Sequence, residues 1–143
     1  MREVSKFLAL APAERRLLVG AATLLAMIAL VLRLLPFRTL RRIAASLGHP
    51  PARPARRPHP SADRIAWAIT VASRYLPGTR SCLPQALAAE LLLRRHEHPA
   101  TLRLGVARND GRDFRAHAWV ESEGRVVFGA THQPGYTPLP ALE

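Results

Sequence analysis

The chain contains a single cysteine, Cys82, and its position at a predicted helix start suits a thiol nucleophile. Pro84 is tolerated only in the first turn of a helix, so Cys82 lies at the mouth of a helix that we predict to continue to about Arg95. The unpaired N–H groups and partial positive charge there favour the thiolate, which is the reactive form. His117 follows 35 residues later in a predicted strand and could remove the thiol proton. This pattern predicts cysteine-dependent acyl chemistry, most simply peptide hydrolysis.

Each of these residues also has an ordinary structural explanation. A lone cysteine near a helix start is more often a small buried apolar residue, and a lone histidine is more often a hydrogen-bonded structural group. His96 and His98 flank Glu97 near the end of the same predicted helix, where the helix dipole accounts for them. We therefore predict no metal site and no cofactor, and the enzyme hypothesis depends on the combined pattern.

The surrounding pattern predicts helices followed by antiparallel strands, an α+β fold. A helical region over 12–48 is interrupted by Pro36, and Ser61 can cap a helix that continues to about Tyr75. Apolar and polar residues then alternate in three strands, and the last two form a hairpin around Ser122–Gly124. The predicted strands are 101–106, Phe114–Glu121 and Val126–Phe128, with a turn at Asn109–Gly111 and an irregular tail after them.

The segment before the cysteine half is apolar, then basic, then proline-rich. Leu17–Leu32 carries no charge, but its sixteen residues fall short of the roughly 20 that a bilayer span needs. It is therefore a buried helix or a membrane-associated one. Phe37–Leu47 has a basic face that could meet acidic lipids or simply solvent. Five prolines in 49–60 predict a semi-rigid linker.

The net charge of +11 is concentrated in the N-terminal half of the chain. Residues 1–80 contain fourteen basic and three acidic residues, whereas residues 81–143 contain seven of each. Such an excess favours an anionic membrane surface or an acidic protein partner. Nucleic acid is not predicted, because the chain has no nucleic-acid motif and few aromatic residues for base stacking.

Several segments together resemble a known family of enzymes. Cys82–Leu87 and Ala116–Glu121 resemble the papain-like and transglutaminase-like superfamily, with cysteine at a helix start and histidine on a middle strand. The likeness is closer to the leader peptidases of lasso-peptide biosynthesis when further segments are included. These segments are Glu14–Arg16, Leu34–Phe37, Leu92–Arg95, Leu104–Ala107 and Tyr136–Leu139.

The resemblance implies a fold, a reaction and a set of partners. It implies a transglutaminase-like core in which the cysteine helix packs on a small antiparallel sheet, after an N-terminal helical segment. The reaction is removal of the leader from a ribosomally made precursor peptide, before an ATP-dependent cyclase closes a macrolactam. A separate leader-recognition protein is also implied, because residues 1–60 show no recognition domain. The expected location is the cytoplasm, with membrane association through the N-terminal helix as an option.

The family pattern carries over to two catalytic residues and leaves the third open. Cys82 corresponds to the nucleophile, and its N–H would contribute to the oxyanion site; His117 corresponds to the general base and acid. The acidic residue that orients the histidine is expected about a dozen positions later, where this chain has Gly129. Glu121 is a poorly placed substitute, and Asp113, Gln133 or a main-chain carbonyl are the other options.

Two other functions and a division into three segments complete the predictions. A thiol acyltransferase would use the same Cys82 and His117. The missing acid and the basic, apolar N-terminus favour a non-catalytic scaffold that docks precursor and cyclase at a membrane. The predicted segments are an apolar and basic helical region (1–48), the linker (49–60) and the cysteine peptidase domain (61–143).

Overall fold

The computed structural model describes residues 2–47, 59–108, 114–129 and 137–138. Within these ranges the helices all precede the strands. The helices are α1 (Arg2–Ala9), α2 (Pro12–Leu34), α3 (Phe37–Leu47), α4 (Ala62–Tyr75) and α5 (Cys82–Arg95). The strands are β1 (Thr101–Arg108), β2 (Phe114–Ser122), β3 (Arg125–Phe128) and β4 (Thr137–Pro138). The predicted α+β class is confirmed.

Local sequence signals account for most helix ends. The Ser61 hydroxyl accepts a hydrogen bond from the Arg64 N–H at 3.3 Å, which caps α4 as predicted. Pro12 occupies the first turn of α2, and Pro36 separates α2 from α3. The predicted helical region of 1–48 includes α1, but the helix itself was predicted only from Pro12 onward, because the eight residues of α1 are too short to give a clear period.

The strands form one antiparallel sheet in the order β3-β2-β1-β4. β1 and β2 pair along their full length, with Gly105 opposite His117 and Arg103 opposite Trp119. The prediction of an irregular tail was wrong for Thr137 and Pro138, which pair with β1. Their pairing is a long-range contact that two residues cannot signal locally. The predicted turn at Asn109–Gly111 and residues 49–58 of the predicted linker lie outside the described residues.

The core lies between the sheet and the helices α2, α4 and α5. Ala118 and Val120 of β2 are buried on the face that meets the helices, and β1 contributes Leu102. The opposite face of β2 carries His117, Trp119 and Glu121, because successive side chains of a strand alternate between faces. The boundaries of the three predicted segments stay a prediction, although α2 shares this core with α4 and α5.

Helix α2 is buried along one face only. Ala21, Leu25 and Ile28 enter the core, whereas Leu30 and Leu34 are 58 % and 72 % exposed. Among the described helices, α2 alone is long and apolar enough to cross a membrane, with a mean hydropathy of 2.4 over 18 residues. A membrane anchor, a signal sequence and a helix of a soluble protein all share these properties.

A buried carboxylate ties α3 and β1 to the middle of α5. Glu90 is 2 % exposed, and its Oε2 accepts from Arg41 Nη1 of α3 at 2.7 Å. Its Oε1 lies 3.0 Å from Arg94 Nη2 and accepts from the Leu102 N–H at 3.2 Å. These donors compensate the loss of hydration that burial of a charge causes. The Glu90 carboxylate therefore links α3 and β1 to the helix that begins with Cys82.

Candidate active site

The loop before α5 determines where the thiol is presented. Cys82 is the first residue of α5, after Ser81 as N-cap. Thr79 is buried, and its hydroxyl donates to the Leu76 carbonyl at 2.8 Å. The Gln85 side-chain amide then donates back to the Thr79 carbonyl at 2.8 Å. The first turn of α5 is thereby tied to the preceding loop, so the backbone that carries Cys82 is held from both sides.

The surroundings of Cys82 are apolar on the core side. Its side chain is half-buried and packs against the core cluster, and Pro84 beside it is buried. Ser81 makes no side-chain capping bond to α5, which leaves the helix end uncapped by that hydroxyl. α5 packs on β2, the strand that carries His117. The two predicted catalytic residues thus belong to elements in contact, but the His117 side chain lies on the face of β2 opposite the one that meets the helices.

The backbone of Gly129 supplies a hydrogen-bond acceptor for His117. Nε2 of His117 lies 2.8 Å from the Gly129 carbonyl oxygen. A carbonyl can only accept, so Nε2 carries the proton and Nδ1 has the lone pair of the neutral ring. This bond fixes the tautomer and the ring orientation, which is the task of the acid in a Cys-His-acid triad. Among the options that the described residues include, the main-chain carbonyl is the one observed.

Trp119 covers the other side of the histidine. Its ring stacks on His117 with centroids 6.2 Å apart and planes inclined by 17°. The indole also lies over Gly105, where an added Cβ would be 2.7 Å from the ring. Glycine is therefore required at this point of β1, since any side chain would displace Trp119. The imidazole is held between a stacked ring and a backbone acceptor.

Glu121 serves Trp119 and not the histidine. Its Oε1 accepts from the indole N–H at 3.0 Å, and its Oε2 lies 3.1 Å from Arg103 Nε. The hydrogen bond from Trp119 lowers the pKa of Glu121, and the Arg103 guanidinium lowers it further. Glu121 is thus held ionised as an anchor of the indole. The other two side-chain options, Asp113 and Gln133, lie outside the described residues.

The structure places Cys82 on a helix and His117 on a strand that contact each other. Contact between the two side chains stays a prediction. The described contacts of Cys82 are with the apolar core, and those of His117 include Gly129 and Trp119. Thr79, Gln85 and Gly105 also shape the site, and the sequence analysis missed their roles. Gly105 had a signal, because a glycine inside an alternating strand often marks a close approach.

The histidines at the end of α5 form a separate cluster. The rings of His59 and His96 are 6.0 Å apart, His59 Nε2 lies 3.5 Å from Glu97 Oε2, and His98 contacts the Pro60 carbonyl at 2.8 Å. Among the described residues there is no group of three or more side chains that could hold a metal ion. Burial lowers the pKa of His96, and the neighbouring His59, His98 and Arg95 lower it further.

This histidine cluster should make the protein less stable in mild acid. The folded state resists protonation of His96, whereas the unfolded chain takes up that proton near pH 6.5. The free energy of unfolding should therefore fall as the pH drops from 6.5 towards the lowered pKa. Urea unfolding at pH 7.5 and pH 5.5 measures this, and His96→Asn should show a smaller difference. An unchanged difference in His96→Asn would assign the effect to other groups.

Comparison with known proteins places this site in a family. A helix that begins with cysteine, packed on an antiparallel sheet with histidine on a middle strand, defines a class of thiol-dependent acyl-transfer folds. The family model described as the transglutaminase-like superfamily matches residues 24–141, and the chain belongs to that superfamily. This membership indicates cysteine peptidase or acyltransferase chemistry. No curated protein and no solved structure matches the chain significantly.

Proposed function

We propose that this protein is a cysteine peptidase that removes the leader from a lasso-peptide precursor. The observation that carries the proposal is the hydrogen bond from His117 to the Gly129 carbonyl, within a chain of the transglutaminase-like superfamily whose α5 begins with Cys82. This bond gives the histidine an orienting partner even though position 129 has no acid. The resemblance of the sequence to lasso leader peptidases supplies the substrate.

The proposed reaction passes through a thioester. Cys82 Sγ attacks the carbonyl carbon of the scissile peptide bond while His117 Nδ1 takes the thiol proton. The tetrahedral intermediate collapses to a thioester with the leader, and His117 protonates the departing amine. His117 then deprotonates a water molecule, which attacks the thioester and releases the leader as a carboxylic acid with regeneration of the thiol. The freed α-amine of the core peptide is the group that a separate cyclase would join to a side-chain carboxylate.

The same observation weakens the scaffold alternative. That alternative drew part of its support from the missing acid and part from the basic, apolar N-terminus, and the Gly129 carbonyl fills the hydrogen-bonding role of the acid at 2.8 Å. A dyad of cysteine and histidine can function with such a partner because a thiol needs less activation than a hydroxyl. Transfer of the acyl group to an amine uses the same residues and differs only in what attacks the thioester.

The experiment that tests the proposal reads product masses. A candidate lasso precursor would be incubated with its leader-recognition partner and the wild-type, Cys82→Ala or His117→Ala protein, with and without a small primary amine. A leader-sized acid from the wild-type protein alone would support the peptidase. A leader–amine adduct as the main product would indicate an acyltransferase. Equal cleavage by Cys82→Ala, or none by any protein with a confirmed active partner, would contradict the proposal.

A further inference from the structure

One face of α2 remains uncovered by the part of the chain that the structure describes. Opposite the buried residues lies a row of apolar side chains that we call the outer stripe. Its large members are Val19, Met27, Leu30 and Leu34, all more than half exposed. Between Arg16 and Arg33 the helix carries no charge, so the part of the stripe from Val19 to Leu30 is free of charged residues over about 16 Å. A continuous exposed apolar row of this kind marks an interaction surface.

Thr23 is the one polar residue between Leu17 and Leu32, and its hydroxyl already has a hydrogen-bond partner. Thr23 lies on the exposed side of α2, and its hydroxyl donates to the Val19 carbonyl at 2.9 Å. Gly20 has no neighbouring atom within 4 Å of an added Cβ, so the adjacent surface is also open. Burial of the stripe in an apolar medium would therefore leave no hydroxyl donor without a partner.

The opposite face of α2 excludes a simple membrane span. Ala21, Leu25 and Ile28 are 0–3 % exposed in the core shared with α4 and α5. Insertion of α2 across a bilayer would withdraw these side chains and open the core beneath them. With one face packed and the other apolar, the helix suits a position parallel to the membrane plane, at the depth of the headgroup boundary.

The charges around the stripe suit an anionic surface. Arg16 before the stripe, and Arg38 and Arg42 in α3 after it, are exposed. The entire net charge of the chain resides in residues 1–80, and the remainder is neutral. Arginine stems lie along apolar surface while their guanidinium groups reach phosphate, as at membrane interfaces. An acidic protein would also match these charges, but it would not favour an uncharged stripe between them.

We infer that the outer stripe of α2 and the flanking arginines dock the folded protein on the surface of an anionic bilayer. The helix lies in the plane of the interface, and the thiol-bearing half stays folded in water. The inference does not depend on the proposed peptidase activity, because membrane docking and leader cleavage are measured separately.

Co-sedimentation of the full chain with lipid vesicles tests this inference. Vesicles of phosphatidylcholine alone and with one quarter phosphatidylglycerol would be compared for the wild type and for Leu30→Glu. The matched control is Val126→Glu, which changes a 43 % exposed residue on β3, away from the stripe. We expect wild type and Val126→Glu to prefer the anionic vesicles, and Leu30→Glu to bind at least about tenfold more weakly.

A second variant and two further measurements make the test decisive. Arg38→Glu with Arg42→Glu should lose the preference for anionic vesicles by roughly 20-fold or more, and it leaves the stripe intact. Equal vesicle binding by Leu30→Glu and wild type would overturn the inference. The inference would also be overturned if light scattering without lipid showed a dimer that Leu30→Glu abolishes. That result would assign the stripe to contact with a second copy of the chain. Resistance of the membrane-bound protein to alkaline carbonate would instead indicate a spanning helix.

Discussion

Gly129→Asp is expected to lower the rate of leader release by about 10²- to 10⁴-fold, even though it places an acid where related enzymes have one. Gly129 has a φ of +76°, and an added Cβ would lie 2.9 Å from the Ala118 carbonyl oxygen. That oxygen belongs to the backbone of the central strand and cannot move aside. The chain must therefore shift at position 129, which takes the carbonyl away from His117 Nε2. Product masses over time would measure the rate.

Gly124→Asp is the matched control for this prediction. Gly124 has a φ of +79°, but an added Cβ there meets nothing within 4 Å. It should therefore show only the backbone cost of about 1–2 kcal/mol in the free energy of unfolding, with leader release unchanged. ¹⁵N NMR of the His117 imidazole gives a readout independent of activity. The proton should stay on Nε2 in Gly124→Asp, and this fixed tautomer should be lost only in Gly129→Asp. Faster cleavage by Gly129→Asp would show that an acid can still serve there.

Glu90→Ala is expected to reduce the free energy of unfolding by about 3–5 kcal/mol. The substitution leaves two arginines and the buried Leu102 N–H without the carboxylate that they share. Domains of this size are stable by only about 5–15 kcal/mol, so a large part of the stability would be lost. Urea unfolding followed by circular dichroism would give the value.

Two variants separate the buried network from a general effect of charge removal. Glu90→Gln keeps an acceptor for the Leu102 N–H and should cost less than alanine. Glu123→Ala removes an exposed acid in the β2–β3 turn and should change stability by less than about 0.5 kcal/mol. If Glu90→Ala proved as stable as Glu123→Ala, the three donors around Glu90 would not need its charge.

The membrane inference changes how the N-terminal half is understood. α2 is neither a fully buried helix nor a free anchor, because Ala21, Leu25 and Ile28 are buried while Leu30 and Leu34 are exposed. A truncation that removes α2 would therefore expose the core on α4 and α5. Membrane docking is better tested by single substitutions on the outer stripe than by deletion.

Much of the fold follows from local sequence signals. Ser61, Pro36 and Pro84 mark helix boundaries because caps and proline act within a single turn. Alternation of side chains in 101–106 and Phe114–Glu121 predicted β1 and β2, since the period of a strand is a local property. These elements place a cysteine at a helix start before a histidine on a strand. This pattern resembles the transglutaminase-like superfamily, and the family match confirms that superfamily.

The tertiary structure alone decided the partners of these residues. Every residue has a carbonyl, so nothing in the sequence marks that of Gly129 as the acceptor for His117; only the path of the chain after β3 brings it within 2.8 Å. The contacts of Glu90 with α3 and β1 likewise join residues 12 to 49 positions apart. The sequence by itself determined which residues can do chemistry, because residue type and local period are written in it. The fold decided how His117 is oriented and which face of α2 stays open, because both depend on long-range packing.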